Sequence, residues 1–267
     1  MLLLAFGLAI GSFLNACIYR LPRQISLLRP SSSCPNCSKE IKPWDNVPVL
    51  SYILLFGKCR NCGAGISLRY PFVELLNGVL YVMAGSQFGI GWHLGFILFF
   101  ISAMVLITFI DIDFQIIPDV ITLPGIAIGL AGSAFIMPDP FLVSSFRSID
   151  ILSSHAGLNT LAITGIMNAV YGLVLGGGLY YLIAVLSRGG MGGGDIKLMA
   201  MVGSFMGWKA VLLTTFAGSL TGSLFGIFLM IFKGKNRKTK IPFGPFLAAG
   251  ALITLFFGNA ILTWYLN

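Results

Sequence analysis

Two sets of side chains in this 267-residue chain have types and spacings that could do chemistry. Cys34-Pro-Asn-Cys37 and Cys59-Arg-Asn-Cys62 are two CxxC turns. Each such turn presents two thiolates to one tetrahedral ion, and two turns complete a closed structural zinc site. A redox pair needs only one turn, and a disulfide reading conflicts with the reducing compartment in which this segment is placed below. Carboxylates form the second set. Asp111, Asp113 and Asp119 lie in Phe109-Ile-Asp-Ile-Asp-Phe-Gln-Ile-Ile-Pro-Asp119, Asp195 ends the run Gly192-Gly193-Gly194-Asp195, and Glu74 stands in an apolar stretch. A single aspartate at the border of a membrane span reads most simply as a helix cap or a headgroup neighbour. Two such borders on one face permit more, because two converging carboxylates can hold a single proton at neutral pH. The ionised member takes a proton from water while the protonated member polarises a carbonyl, which is peptide hydrolysis without Ser, His or metal. The glycines before Asp195 allow close backbone approach and leave the segment pliable enough for an extended substrate. The two histidines, His93 and His155, read as lying on the opposite side, which excludes Ser–His and zincin chemistry. Cys17, within an apolar run, reads as a packing residue.

These residues must be held by elements that lie in a membrane. The chain is 57% hydrophobic and 10% charged, with a mean hydropathy of +0.91, and its apolar residues fall in runs of roughly twenty, the length that crosses a bilayer. Spans are expected near Leu2–Ile18, Phe72–Phe88, Leu94–Ile110, Val120–Met137, Leu161–Leu186, Ile196–Gly207, Ala210–Phe232 and Phe243–Leu266. Met1–Tyr19 does not read as a cleavable signal, since its charges (Arg20, Arg23) follow the apolar run. Eight spans place fifteen of the seventeen Lys and Arg residues on one side, which the positive-inside rule makes cytoplasmic, with both termini outside. Making the sixth segment re-entrant would put Lys233–Lys240 on the wrong side. The net charge of +8 therefore reports topology and contact with anionic lipid rather than nucleic acid. The expected fold is an all-α polytopic membrane protein of about eight transmembrane helices. Its parts are a first helix (1–19), a small zinc-binding cytoplasmic domain between helices 1 and 2 (20–70), and a membrane body (71–267). Pro138–Thr160 is an external loop on this reading, and no internal repeat is evident.

At this point the residues resemble a family. Gly192-Gly193-Gly194-Asp195 fits the G-x-G-D motif of intramembrane aspartic proteases, and Asp111-x-Asp113-x-x-x-Ile117-Pro118-Asp119 is similar to the partner motif of bacterial type IV prepilin peptidases. Gly11-Ser-Phe-Leu-Asn-Ala-Cys-Ile-Tyr-Arg-Leu-Pro22, Arg69-Tyr-Pro-Phe-Val-Glu-Leu-Leu76, Pro242-Phe-Gly-Pro245 and the four cysteines resemble the same family. The resemblance implies a bacterial inner-membrane enzyme. It would cleave the leader from type IV prepilins and type II secretion pseudopilins at the cytoplasmic face, and then methylate the new N-terminal amine with S-adenosylmethionine. By motif position the catalytic pair is Asp111 and Asp195, with Asp111 preferred to Asp113 because it stands seven residues before Pro118. Asn15, Arg20, Arg69 and Glu74 are the residues implied for the methyl transfer and its cofactor. No glycine-rich Rossmann motif is present, so the cofactor site rests on the resemblance alone. The long Pro138–Thr160 loop departs from the family pattern.

Other readings remain for single residues. Arg20 and Arg69 could anchor in headgroups with Glu74 as their ion-pair partner. Lys197 reads as a lipid anchor, with tuning of the aspartate pair as the alternative. For the whole chain, a peptidase without methylation is one rival, an aspartate-coupled transporter a second, and a zinc-bearing scaffold a third. A transporter predicts midplane acids and repeat symmetry, whereas the acids here cluster at one face. A scaffold needs the cysteines but neither aspartate motif.

Overall fold

A computed structural model describes residues 1–27, 29, 31–135, 155–187, 190–233 and 242–266. It is helical, with no strand among the described residues and two isolated bridges, Ser33–Glu40 and Lys58–Gly65. Contacts divide the chain into two compact units, Met1–Ile90 and Gly91–Asn267. The first holds α1 (Leu2–Arg20), the short α2 (Leu50–Leu54) and α3 (Arg69–Phe88). The second holds α4 (Trp92–Phe114), α5 (Asp119–Phe135), α6 (His155–Leu186), α7 (Gly193–Lys233) and α8 (Gly244–Leu266). The division falls after residue 90 rather than at the expected 70/71 border, so α3 belongs with the N-terminal unit. The reason is packing. A methyl group placed on Gly7 would stand 2.7 Å from Gly78 Cα, and one on Gly11 would stand 2.6 Å from Glu74 Cα. The side-chain amide of Asn77 donates to the Gly7 carbonyl at 2.8 Å in the same buried seam.

Five helical segments are long and apolar enough to cross a membrane: Leu2–Arg23, Trp92–Phe114, Gly165–Leu186, Gly193–Phe232 and Gly244–Tyr265. The eight expected spans fall on α1, α3, α4, α5, α6, two arms of α7, and α8, but they are not equally apolar. Arg69, Glu74 and Asn77 lower the hydropathy of α3, and the apolar part of α5, Asp119–Ser133, is shorter. A straight forty-residue helix would be about 60 Å long, twice the hydrocarbon thickness. Accordingly α7 breaks at Gly207, whose backbone is non-helical (φ 78°, ψ 179°). The break falls where the sequence ends one span and begins the next.

In the second unit α4 has no polar face. Phe100, Ile101, Met104, Ile107 and Ile110 are all buried, as are the intervening Ser102, Ala103, Val105, Leu106 and Phe109. A helix apolar and buried all round is the core around which others pack. The expected external loop Pro138–Thr160, Arg147, Arg188 and the basic stretch Lys233–Lys240 fall largely or wholly outside the described residues. One consequence of the break is testable. The Gly207 conformation is open essentially to glycine alone, so Gly207→Ala should lower unfolding stability in detergent by about 1–3 kcal/mol. An unchanged unfolding midpoint would contradict the break.

Candidate active and metal sites

The four cysteines of the N-terminal unit come together. Their sulfurs all lie within 4.8 Å of one another, and Cys34 Sγ stands 3.8 Å from Cys62 Sγ. Four sulfurs about 2.3 Å from a tetrahedral ion are separated by about 3.8 Å, so this spacing fits a metal. The two turns are built alike. In one, the Cys34 N–H donates to the Lys39 carbonyl and the Ser38 N–H to the Cys34 carbonyl. In the other, the Cys59 N–H donates to Ala64 and the Gly63 N–H to Cys59. Ser38 (φ 55°) and Gly63 (φ 71°) occupy the same left-handed position. The Ala64 N–H, helped by the Asn36 side chain, holds the Cys62 thiol down to about 6, whereas Cys37, against the pull of the Lys39 N–H, is pushed up to about 11 by burial and the neighbouring thiols. An exposed two-pronged pair, Arg60 to Asp45 at 2.7–2.9 Å, ties the second turn to the Pro43–Asn46 turn. That guanidinium holds the Asp45 carboxyl below its usual range. The cluster could bind zinc.

Glu74 lies in the same unit and is 8% exposed. Its Oε2 accepts the Val49 N–H at 2.8 Å, and Ser12 and Asn15 also hydrogen-bond its carboxylate. Asn15 further donates to the Tyr70 carbonyl at 3.0 Å. Val49 is strained: its φ of 60° and ψ of −47°, with the Leu50 N–H reaching the Pro48 carbonyl at 2.6 Å, make a γ-turn of the rare positive-φ kind. Of the four residues expected around a cofactor, the structure joins Asn15 and Glu74. Arg20 instead donates to the Ser26 and Leu27 carbonyls at 3.0 and 3.2 Å. Arg69 opens α3, where its backbone N–H reaches the Ser67 hydroxyl at 3.3 Å. Val49 and Ser12 escaped the sequence reading. Nothing in the Val49 side chain announces a strained turn, and Ser12 is named in the sequence only within the stretch Gly11–Pro22.

In the second unit the aspartates separate by burial. Asp111 is 5% exposed, whereas Asp113 faces outward, because residues two apart lie on opposite sides of a helix. Asp111 lies in the last turn of α4, a poor place for a carboxylate, and the chain leaves through Gln115 in the left-handed conformation. What holds Asp111 is α8: the Gly244 N–H donates to Asp111 Oδ2 at 3.0 Å. Asp195 occupies the first turn of α7, with the Gly192 N–H donating to its carboxylate and its own N–H reaching the Gly192 carbonyl at 3.2 Å. This is the acidic half of a capping box, favoured by the helix dipole. Ile117 links the two places. A methyl on Gly194 would stand 2.8 Å from Ile117 Cβ, and one on Gly244 would stand 3.2 Å from Ile117 Cδ1. Lys197 pairs with an acid outside the expected pair. Its Nζ donates to both oxygens of Asp119 at 2.7 Å, tying the start of α7 to the start of α5.

The fold and these sites describe a polytopic helical membrane protein with an acidic pair at helix ends and a cysteine metal cluster. The bacterial peptidase A24 N-terminal domain matches residues 5–88, and the type IV leader peptidase family matches residues 98–227. Proteins called prepilin leader peptidase/N-methyltransferase are similar over nearly the whole chain. That of Pseudomonas aeruginosa is 33% identical over 98% of this chain and 91% of its own. That of Legionella pneumophila is 34% identical over 98% and 92%, and that of Bacillus subtilis 33% over 100% and 97%. This chain belongs to the type IV leader peptidase family. No solved structure matches it.

The cysteine cluster predicts one bound divalent ion per chain by native mass spectrometry. Cys34→Ser and Cys62→Ser should lose it, and chelation should open the 33–65 segment to proteolysis. Metal-free protein that resists protease as well as the native form does would contradict the assignment.

Proposed function

We propose that the Asp111–Asp195 pair cleaves the leader of type IV prepilins or pseudopilins, and that the N-terminal unit then methylates the new terminal amine. Cleavage is assigned to the cytoplasmic face of a bacterial inner membrane, with both termini outside. The observation that supports the proteolytic reading is that Ile117 lies against both Gly194, the neighbour of Asp195, and Gly244, whose N–H holds Asp111. One carboxylate, ionised, takes a proton from water as the oxygen attacks the scissile carbonyl. The other, protonated, donates toward the carbonyl oxygen as charge builds there, and the shared proton is then available to the departing amine. Gly192 and Gly193 lie exposed beside Asp195, and without side chains they let an extended substrate approach closely.

The methyl transfer rests on different residues. S-adenosylmethionine, when bound, supplies an electrophilic methyl on a positively charged sulfur. Glu74 suits such a neighbour: it is buried, and the Val49, Ser12 and Asn15 groups on it are neutral. An ionised Glu74 therefore offers charge that those donors do not balance. Strained backbone at Val49 is typical of a positioned functional group. Arg20 and Arg69, one closing α1 and the other opening α3, complete the set on this reading. Zinc on the four thiolates is structural, closing a small domain with little core of its own.

Two measurements test the assignment. Asp111→Asn and Asp195→Asn should each lower prepilin cleavage by at least about 100-fold, with the protein still folded in the membrane; full activity in either would remove the pair. Glu74→Gln should leave cleavage intact and stop methylation, read as one missing methyl group in the mass of the processed pilin. A normally methylated product would return Glu74 to a packing role.

A further inference from the structure

The family match ends at residue 227, yet the hydrogen bond on Asp111 comes from residue 244. We propose that the turn Pro242–Pro245 is a third segment of the active site, with Gly244 as a positioning residue that fixes the Asp111 carboxylate. The inference rests on the aspartate-pair reading above and deepens it.

Three features of the turn support this role. First, Gly244 is the first residue of α8, where backbone N–H groups lack helical partners and point outward. The next residue, Pro245, has no N–H, and the Phe246 and Leu247 N–H groups both return to the Phe243 carbonyl at 3.1 and 3.2 Å. The Gly244 N–H is thus left for Asp111, and it sits at the positive end of the α8 dipole. This offsets the poor placement of Asp111 at the α4 C-terminus. Second, the site has no room for a side chain. A methyl on Gly244 would stand 2.6 Å from Asp111 Oδ2 and 3.1 Å from Asp111 Cγ, besides its contact with Ile117. The same Ile117 packs on Gly194, next to Asp195, so a shift at Gly244 reaches both carboxylates. Third, the turn borders an open groove between α7 and α8. Ser219, Gly222 and Ser223 form one side, with Pro242, Phe243 and Phe246 on the other. The turn is therefore accessible at the surface while its Gly244 N–H is buried against the carboxylate.

A residue acting through Asp111 should change turnover and leave substrate binding alone. In the purified full-length protein, Gly244→Ala should lower kcat for prepilin cleavage by about 100-fold, the usual effect of a displacement of about 1 Å in a catalytic group. KM should stay near that of the wild type. Adding Ile117→Ala vacates the neighbouring space and should return part of the lost kcat. Wild-type kcat in Gly244→Ala overturns the proposal, and so does a loss confined to KM.

A second measurement does not depend on that variant folding. Hydrogen exchange is followed in a peptide spanning residues 242–246, where Pro242 and Pro245 contribute no N–H. Exchange should be slower in the wild type than in Asp111→Ala, and equal rates overturn the hydrogen bond. The two readings fail separately. If Asp111→Asn and Asp195→Asn remain active, the aspartate pair itself is wrong. If they are inactive while Gly244→Ala is normal, only the role of the turn is lost.

Discussion

Helices α1 and α3, and α6 and α7, meet at backbone distance. A side chain on Gly172 would run into the Gly203 carbonyl, and one on Gly176 into the Met199 carbonyl, where α6 lies against α7. In the N-terminal unit the Gly11 seam brings α1 onto the Glu74 backbone. Helices in lipid gain little from hydrophobic association, because the surrounding hydrocarbon is as apolar as they are. Close packing between small residues and hydrogen bonds across the seam must supply the attraction instead. The same closeness lets a backbone N–H such as that of Gly244 reach a buried carboxylate on another helix. A bulkier seam would hold the helices apart and leave Asp111 without its donor.

From that constraint the two chemistries follow different rules. The aspartates each rest on a helix N-terminus, Asp195 on that of α7 and Asp111 on that of α8. Both receive backbone N–H bonds, which hold a carboxyl in place whichever of the two is protonated. Glu74 has no acidic hydrogen-bond partner among the described residues. Its donors are a strained backbone N–H, a hydroxyl and an amide, an arrangement suited to holding one negative charge still beside a cation. The cysteine turns bring four sulfurs together in a segment with few buried apolar side chains.

Much of this was legible in the sequence because it is written locally. Span lengths follow from apolar runs, and the border near Gly207 from the Gly-Trp-Lys sequence between two of them. The metal cluster follows from two C-x-N-C turns, and the choice of Asp111 over Asp113 agrees with burial on one face of α4. What escaped is carried by partners far apart in the chain. Gly244 meets Asp111 across 133 positions, and Lys197 meets Asp119 across 78. Neither contact has a periodicity or composition to announce it. Lys197 looked like a lipid anchor because the sequence gives its level near the membrane border but not its azimuth on α7. The division after residue 90 was hidden for a similar reason. Arg69–Phe88 is as helical as the segments that follow, and its close contacts and hydrogen bonds with α1 assign it to the N-terminal unit.

The central claim is that two carboxylates share the work at one scissile carbonyl. It is tested most directly with a prepilin analogue in which a secondary alcohol replaces the scissile peptide bond, mimicking the tetrahedral intermediate. The account predicts that the alcohol binds the full-length protein at least about 100-fold more tightly than an uncleavable amide analogue of the same sequence, as transition-state mimics do. It also predicts that this advantage disappears in both Asp111→Asn and Asp195→Asn. An alcohol that binds no better than the amide, or one whose advantage survives loss of either aspartate, would contradict it.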